Sequence, residues 1–375
     1  VAVGHEALLL NTSGVYNVAI GNGALDANTT GGNNTAVGRI ALGANTTASN
    51  NVAVGSSALL VNTTGTTNTA VGANALDANT TASNNTALGY AALGANTTAT
   101  SNTAVGSNAL LSNTTGTRNT AMGHNAGDAI TTGSYNTALG FNTLSALTDG
   151  SSTTVVGDYC GAKITSGAVN TGIGQAAFQE LTEGGYNVAV GHQALQLCVT
   201  GAQNTAVGTY ALQNNTNVNN VAVGYNALGA NVGGAYNTAV GHGALDANVS
   251  ASSNSAFGQS ALGANTTGAN NNAFGFQALD ANTTGDANTA VGYNALGANT
   301  TGGNNVALGK DALNANTTAS NNVASGYAAL GAVTTGESNT ALGNYAGDAI
   351  TTGPGNVLMG YTAGSAITDA GYNVC

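Results

Sequence analysis

The stretch Thr289 to Asn305 reads TAVGYNALGANTTGGNN, and the next seventeen residues, Val306 to Asn322, return in the same frame as VALGKDALNANTTASNN. Followed outward, this frame divides the chain into 22 units from Val1 to Asn373, with one register slip in the sixteen-residue unit Thr205 to Asn220. Self-similarity at a short fixed period marks stacked repeats, each too small to bury a core alone. Position four is Gly in every unit, as at Gly21, Gly38, Gly55, Gly208 and Gly292, and position seventeen is Asn in every unit but one, where Thr153 stands. A recurring Gly marks a backbone angle or a close approach that a Cβ forbids. A recurring Asn marks a turn whose amide bonds local backbone. These are corners.

Between the corners lie two apolar runs, TAVG and AL-x-AN, too short for helices and bounded by turn residues. The fold expected is therefore all-β: a parallel β-solenoid, or β-roll, of about 22 coils with two short strands per coil. Each run pairs with its counterpart in the next coil at about 4.8 Å, which gives a rod of about 105 Å. The array is read as one continuous solenoid over residues 1–375 that begins and ends inside a repeat, as expected of a piece of a longer fibre chain. Asn17, Asn34, Asn51, Asn68 and Asn85 are expected to stack as an internal amide ladder.

Variable positions mark the wet surface. Positions five, six, nine, fifteen and sixteen accept Arg39, Glu6, Asp26, Lys310 or Tyr135 without disturbing the frame. Position nine of the first eight units runs Leu9, Asp26, Gly43, Leu60, Asp77, Gly94, Leu111, Asp128, so carboxylates never stack on adjacent coils; like charges on neighbouring strands destabilise. Positions eight and eleven trade volume. Gly127, Gly161, Gly347 and Gly364 at position eight accompany Ile130, Ile164, Ile350 and Ile367 at position eleven. Both positions are expected to touch one interior space.

The first run alternates Thr35 and Val37 on one face with Ala36 and Gly38 on the other, and neither face is strongly polar. A strand buried on both sides need not alternate apolar with polar. The partner expected for the second face is another copy of the chain, in a parallel homotrimer held through Ala36, Ala53, Ala70 and Ala87.

Only 5% of residues are charged, the net charge is -11, and the basic residues are Arg39, Arg118, Lys163 and Lys310 alone. Phosphate-based nucleic-acid binding has no footing, and no apolar stretch is long enough to insert in a membrane. His5, His124, His192 and His242 sit on distant coils, so no metal site is expected. No nucleophile, base and orienting acid recur together, so no cofactor and no enzyme activity are expected. Cys160 and Cys198 lie on coils two apart and are read as buried small hydrophobes. Asn-x-Ser/Thr recurs at position eleven, at Asn28, Asn45, Asn62, Asn79, Asn265 and Asn299 among others. These are candidate glycosylation sites, although the exchange of that position for Ile speaks for an inward side chain. Tyr16, Tyr135, Tyr186, Tyr236 and Tyr372, all at position sixteen, are candidates to stack on sugars.

The units VAVGSSALLVNTTG, TAVGSNALLSNTTG and VAIGNGALDANTTG resemble the head repeats of trimeric autotransporter adhesins and related phage tail-fibre repeats, through the recurring Asn, the apolar pair and the Gly. The resemblance spans essentially the whole chain. It implies a left-handed parallel β-roll, three chains side by side and a surface-exposed adhesive role. The coil of this chain is longer than is usual there, with the excess in the NTTG-x-x corner. The function expected is a structural and adhesive fibre element, extracellular, on a cell surface or in a virion fibre, whose partners are copies of itself and a host surface or glycan. The alternatives are a self-assembling filament without a receptor and an ice-binding solenoid built on stacked Thr-Thr pairs, although adjacent strand residues point to opposite faces.

Overall fold

The computed structural model describes residues 1–375 and contains strands and turns with no helix. The chain forms two compact units, Val1–Asn187 and Val188–Cys375. Unit one holds strands β1 (Ala2–Val3) to β11 (Thr171–Ile173), and unit two holds β12 (Val188–Val190) to β22 (Val357–Met359). Within each unit successive strands pair in parallel, one per coil, so the solenoid expected from the repeat is the fold. Ala36 pairs with Ala53 and Val37 with Val54, each residue meeting its equivalent one unit on. The sixteen-residue coil does not break this register, since Thr205 pairs with Val221 and Val207 with Val223. Its missing residue is absorbed in the corner, where the Asn217 carbonyl accepts the Nδ2 groups of both Asn204 and Asn215.

The coil has one strand where two were expected. The second run is not extended because positions six and eight adopt left-handed angles: in one coil Ile40 has φ 51° and Leu42 has φ 52°. It is still tied to its neighbours, with Leu42 N–H bonding the Ala58 carbonyl and Ala44 N–H the Leu60 carbonyl. A left-handed Leu costs about 1–2 kcal/mol. Its fully buried side chain, at 0% exposure for Leu42, returns about 1.5–3 kcal/mol.

The corner Gly behaves as expected. Position four takes φ from 128° to 142° throughout, and a Cβ on Gly292 would lie 2.6 Å from the Gly309 carbonyl oxygen of the next coil. Coils therefore approach one another more closely here than any side chain permits.

Positions two, seven, eight, eleven, fourteen and seventeen face the interior, so the core of one coil is little more than Ala36, Ala41 and Leu42 framed by Asn34, Asn45 and Asn51. The trade between positions eight and eleven is geometric. A Cβ on Gly127 would sit 2.9 Å from Ile130 Cδ1, and one on Gly161 the same distance from Ile164 Cδ1. Position two takes part in the same exchange. Where position eight is Phe178, position two shrinks to Gly172, whose absent Cβ would meet the Phe178 ring at 2.9 Å; where position eight is Gly364, position two grows to Leu358, whose Cδ2 lies 2.7 Å from the Cβ site. Interiors packed to crystal density enforce such compensation.

Candidate functional site

Position two is thus interior, and this corrects the expected contact face. Ala36, Ala53, Ala70 and Ala87 are each 0% exposed within the single chain, so they pack inside the coil and cannot touch a second copy. Period-two alternation turns the flanking residues outward instead. The outer sheet face carries position one, as Thr69, Thr86 and Thr103, and position three, as Val71, Leu88 and Val105, in hydrogen-bonded register. Position three is an almost unbroken apolar row. In unit one it includes Ile20, Leu88, Met122 and Ile173, and in unit two Phe257, Phe274, Val291, Leu308 and Leu342, all exposed, with Met122 at 50%. Phe257 and Phe274 stack at 4.9 Å. With eleven coils per unit, this makes a strip roughly 50 Å long and 10 Å wide on each, in the size range at which exposed apolar patches mark interfaces.

The predicted ladder at position seventeen exists, with a different bonding pattern. Asn17 Oδ1 accepts the backbone N–H of Asn34 at 2.9 Å, Asn34 Oδ1 that of Asn51 at 3.0 Å, and the series continues through Asn68 and Asn85. Amide-to-amide bonds occur there in some coils, as from Asn288 to Asn271 Oδ1 at 3.2 Å and from Asn356 to Asn339 Oδ1 at 2.9 Å, and their longer runs lie at position eleven. Asn28 Nδ2 donates to Asn11 Oδ1 at 2.8 Å, Asn45 to Asn28, Asn62 to Asn45 and Asn79 to Asn62. In unit two Asn282 donates to Asn265 and Asn299 to Asn282, both at 2.8 Å. The two ladders share an acceptor at position fourteen: the Gly31 carbonyl takes Nδ2 of both Asn17 and Asn28. Apart from the Asn316 Oδ1, these buried amides are paired with their equivalents one coil away and with position-fourteen carbonyls, which fixes the stacking register as well as stabilising it.

This ladder removes the glycosylation reading. Asn28, Asn45, Asn62, Asn79, Asn265 and Asn299 are all 0% exposed, and a glycan on any of them would displace the adjoining coil. The Asn-x-Thr triplets with an exposed Asn are instead Asn33-Asn34-Thr35 and Asn84-Asn85-Thr86, at position sixteen. The Thr-Thr pair does not present two outward ranks either. The hydroxyls at position twelve donate down the stack, Thr29 to the Thr46 carbonyl and Thr63 to that of Thr80, while Thr30 and Thr64 at position thirteen are exposed.

The side wall at positions five and six carries rings that stack between coils. In unit two His192, Tyr210, Tyr225 and His242 form a continuous series with centroids 5.3–5.8 Å apart. Further along, Phe276 stacks on Tyr293 at 5.3 Å, and Lys310 Nζ lies 5.5 Å from the ring centres of both Tyr293 and Tyr327. His124, stacked on Phe141 at 5.5 Å, His192 and His242 thus join aromatic neighbours rather than one another, while His5 meets Asn22 and Glu6. Tyr16, Tyr135, Tyr186, Tyr236 and Tyr372 are exposed, and Tyr135 is engaged by Arg118 at 5.3 Å.

At position nine, burial pushes the carboxyls of Asp77, Asp128, Asp246 and Asp280 above the usual carboxylate range. The Asp246 carboxylate raises Asp280 further, whereas His124 and His242 act in the opposite sense on Asp128 and Asp246. Burial also pushes the thiol of Cys160 up to about 12 and that of Cys198 to about 11. Both are buried and unbridged, as small hydrophobes should be, while Cys375 is exposed.

No protein-family model and no curated protein matches the chain.

Proposed function

We propose that this chain is a structural and adhesive fibre element that acts outside the cell or on a virion, as a rigid β-solenoid that assembles in parallel into a homotrimer through the outer sheet face. The observation that carries the proposal is the row of exposed apolar side chains at position three, recurring coil after coil beside Thr or Val at position one. A solitary solenoid has no use for such a row, and water penalises it. Identical coils offer identical strips, so copies aligned in parallel repeat one small contact many times with the register set by the coil spacing. The likeness of the repeats to those of trimeric autotransporter adhesins supports three chains and an adhesive role. The low charge and the absence of any recurrent nucleophile and base support a mechanical role over catalysis.

The test is a triple variant, Val71→Glu, Val105→Glu and Leu139→Glu, on the outward row. It should dissociate the assembly in sedimentation velocity while the isolated chain keeps its β-rich circular dichroism, because these side chains point away from the coil interior. Dissociated but folded chains would support the outer face as the contact. An unchanged trimer would show that copies meet elsewhere, and a parent protein that is monomeric throughout would defeat the trimer itself.

A further inference from the structure

The side wall of unit two carries a concavity built from three successive coils. Positions six and nine of three successive coils meet there. The lower coil contributes Asp311 and Asn314, the upper one Tyr345 and Asp348, and the coil between them only the small residues Ala328, Gly331 and Ala332. Leaving out the middle side chains opens a notch of about 360 Å³ whose lips are two coil spacings apart, roughly 9.6 Å.

Other glycines at position nine are covered. The Cβ site of Gly43 has Asp26 Oδ1 at 3.5 Å and Leu60 Cδ1 at 3.6 Å, that of Gly94 has Leu111 Cδ1 at 3.3 Å, and that of Gly263 has Asp280 Oδ1 at 2.8 Å. Around Gly331 no side-chain atom comes within 3.7 Å of the equivalent point. The notch is open because its neighbours do not lean in.

Its chemistry is anionic and aromatic. Asp348 Oδ1 is buried without a hydrogen-bond partner, and Asp311 meets Asn294 Nδ2 at 3.4 Å and the Lys310 ammonium at 3.7 Å. Lys310 is the sole Lys or Arg of unit two. It shows what the wall accepts: an ammonium on a middle coil, held between Tyr293 one coil below and Tyr327 one coil above. The notch offers a related setting at positions six and nine, with small residues on the middle coil, one ring, Tyr345, on the upper lip and a carboxylate on each lip. Cation–π and charge-assisted contacts favour the same guest. A neutral sugar fits less well, because it would bring no charge to the two carboxylates, Asp311 and Asp348, that line the notch.

We propose that this notch binds an alkylammonium group presented by a partner. The inference gives the adhesive part of the proposed function a ligand class and does not depend on trimer formation.

The variant that tests it is Gly331→Leu. Gly331 has no left-handed angle, and Leu9, Leu60 and Leu111 occupy the same position in other coils, so the substitution closes the notch without disturbing the coil. Tri-lysine, spermidine, fully acetylated tri-lysine and glucose are titrated into isotopically labelled protein while the amide signals of Ala328, Gly331 and Ala332 and the methyl signals of the two alanines are followed by NMR. The expected result is a saturable shift at these residues with tri-lysine or spermidine and none with the acetylated peptide. Response to tri-lysine alone assigns the guest to a lysine side chain, and response to both assigns it to any alkylammonium. Gly331→Leu should weaken binding at least about tenfold with melting temperature and sedimentation mass unchanged, and the pair Asp311→Asn and Asp348→Asn should do the same. Shifts spread evenly over all the carboxylates, or binding that survives Gly331→Leu, would overturn the proposal. So would an equal response to the acetylated peptide or to glucose.

Discussion

Replacing one ladder asparagine by valine should cost very different amounts according to where in the ladder it stands. Asn265 is interior: its Nδ2 donates to Asn248 Oδ1 at 3.2 Å and to the Gly268 carbonyl at 2.9 Å, and its Oδ1 accepts from Asn282 at 2.8 Å. Asn316 ends the same ladder against Val333; it donates to Asn299 Oδ1 at 2.7 Å and to the Ala319 carbonyl at 3.1 Å, but its own Oδ1 is buried without a partner. Asn265→Val orphans Asn248 Oδ1 and takes an acceptor from Asn282. Asn316→Val orphans Asn299 Oδ1 but deletes an oxygen that was already orphaned, so the number of unsatisfied acceptors does not change. In both cases the shared carbonyl keeps its second donor, Asn254 for Gly268 and Asn305 for Ala319. Volume is matched as well, since Leu at position eight beside Val at position eleven already occurs as Leu330 and Val333, both fully buried. The difference between the variants is therefore one unsatisfied acceptor, Asn248 Oδ1, and one Asn282 amide N–H without its acceptor, each about 1–3 kcal/mol. For a cooperative block of the size of unit two, each kcal/mol moves the melting temperature by roughly 2–4 °C. Thermal melts followed by circular dichroism should place Asn265→Val several degrees below Asn316→Val. Equal losses, or a larger loss at Asn316, would refute the polarity of the ladder.

Gly208→Val should destabilise by about 3 kcal/mol or more, because φ is 135° there and the added side chain meets the Gly224 carbonyl of the next coil; an unchanged melt would show an ordinary corner. The raised carboxyls of Asp77, Asp128, Asp246 and Asp280 bind protons more readily folded than unfolded. Their contribution is full below the unfolded pKa and is lost as pH rises through the folded values, so melting temperature should rise as pH falls from 7 towards about 4. Asp128→Asn should flatten that rise, and a steady fall on acidification would contradict it. At pH 8 an aromatic disulfide reagent should titrate one thiol per folded chain, Cys375, and all three after denaturation, because Cys160 and Cys198 are buried with raised pKa values; rapid reaction of more than one thiol in the folded protein would refute their burial.

Much of this fold is legible in the sequence because a repeat reports each position many times. The Gly corner, the inward Asn at position seventeen and the Gly127/Ile130 exchange all carry direct steric or hydrogen-bonding signals. Alternation in the first strand defines two faces without saying which is inside, and Ala is compatible with either, so position two reads as readily as a contact face as it does as core. Three coils held the answer, since Val155 accompanies Gly161, Gly172 accompanies Phe178 and Leu358 accompanies Gly364, and only an interior position need trade volume in this way. The second run reads as a strand because Leu42 and its equivalents occupy left-handed angles that Leu disfavours, so residue identity conceals the turn. At position eleven the same Asn served a sequon and a ladder. The Ile replacements pointed to the buried role, and the hydrogen bonds establish it.

Assembly of three copies, on which the proposed role of the outer sheet face rests, is tested most directly by the mass of the protein in solution. Sedimentation equilibrium across a wide concentration range should give three times the 36.0 kDa chain mass. A single species at the mass of one chain, folded and soluble at the highest concentration, would contradict it.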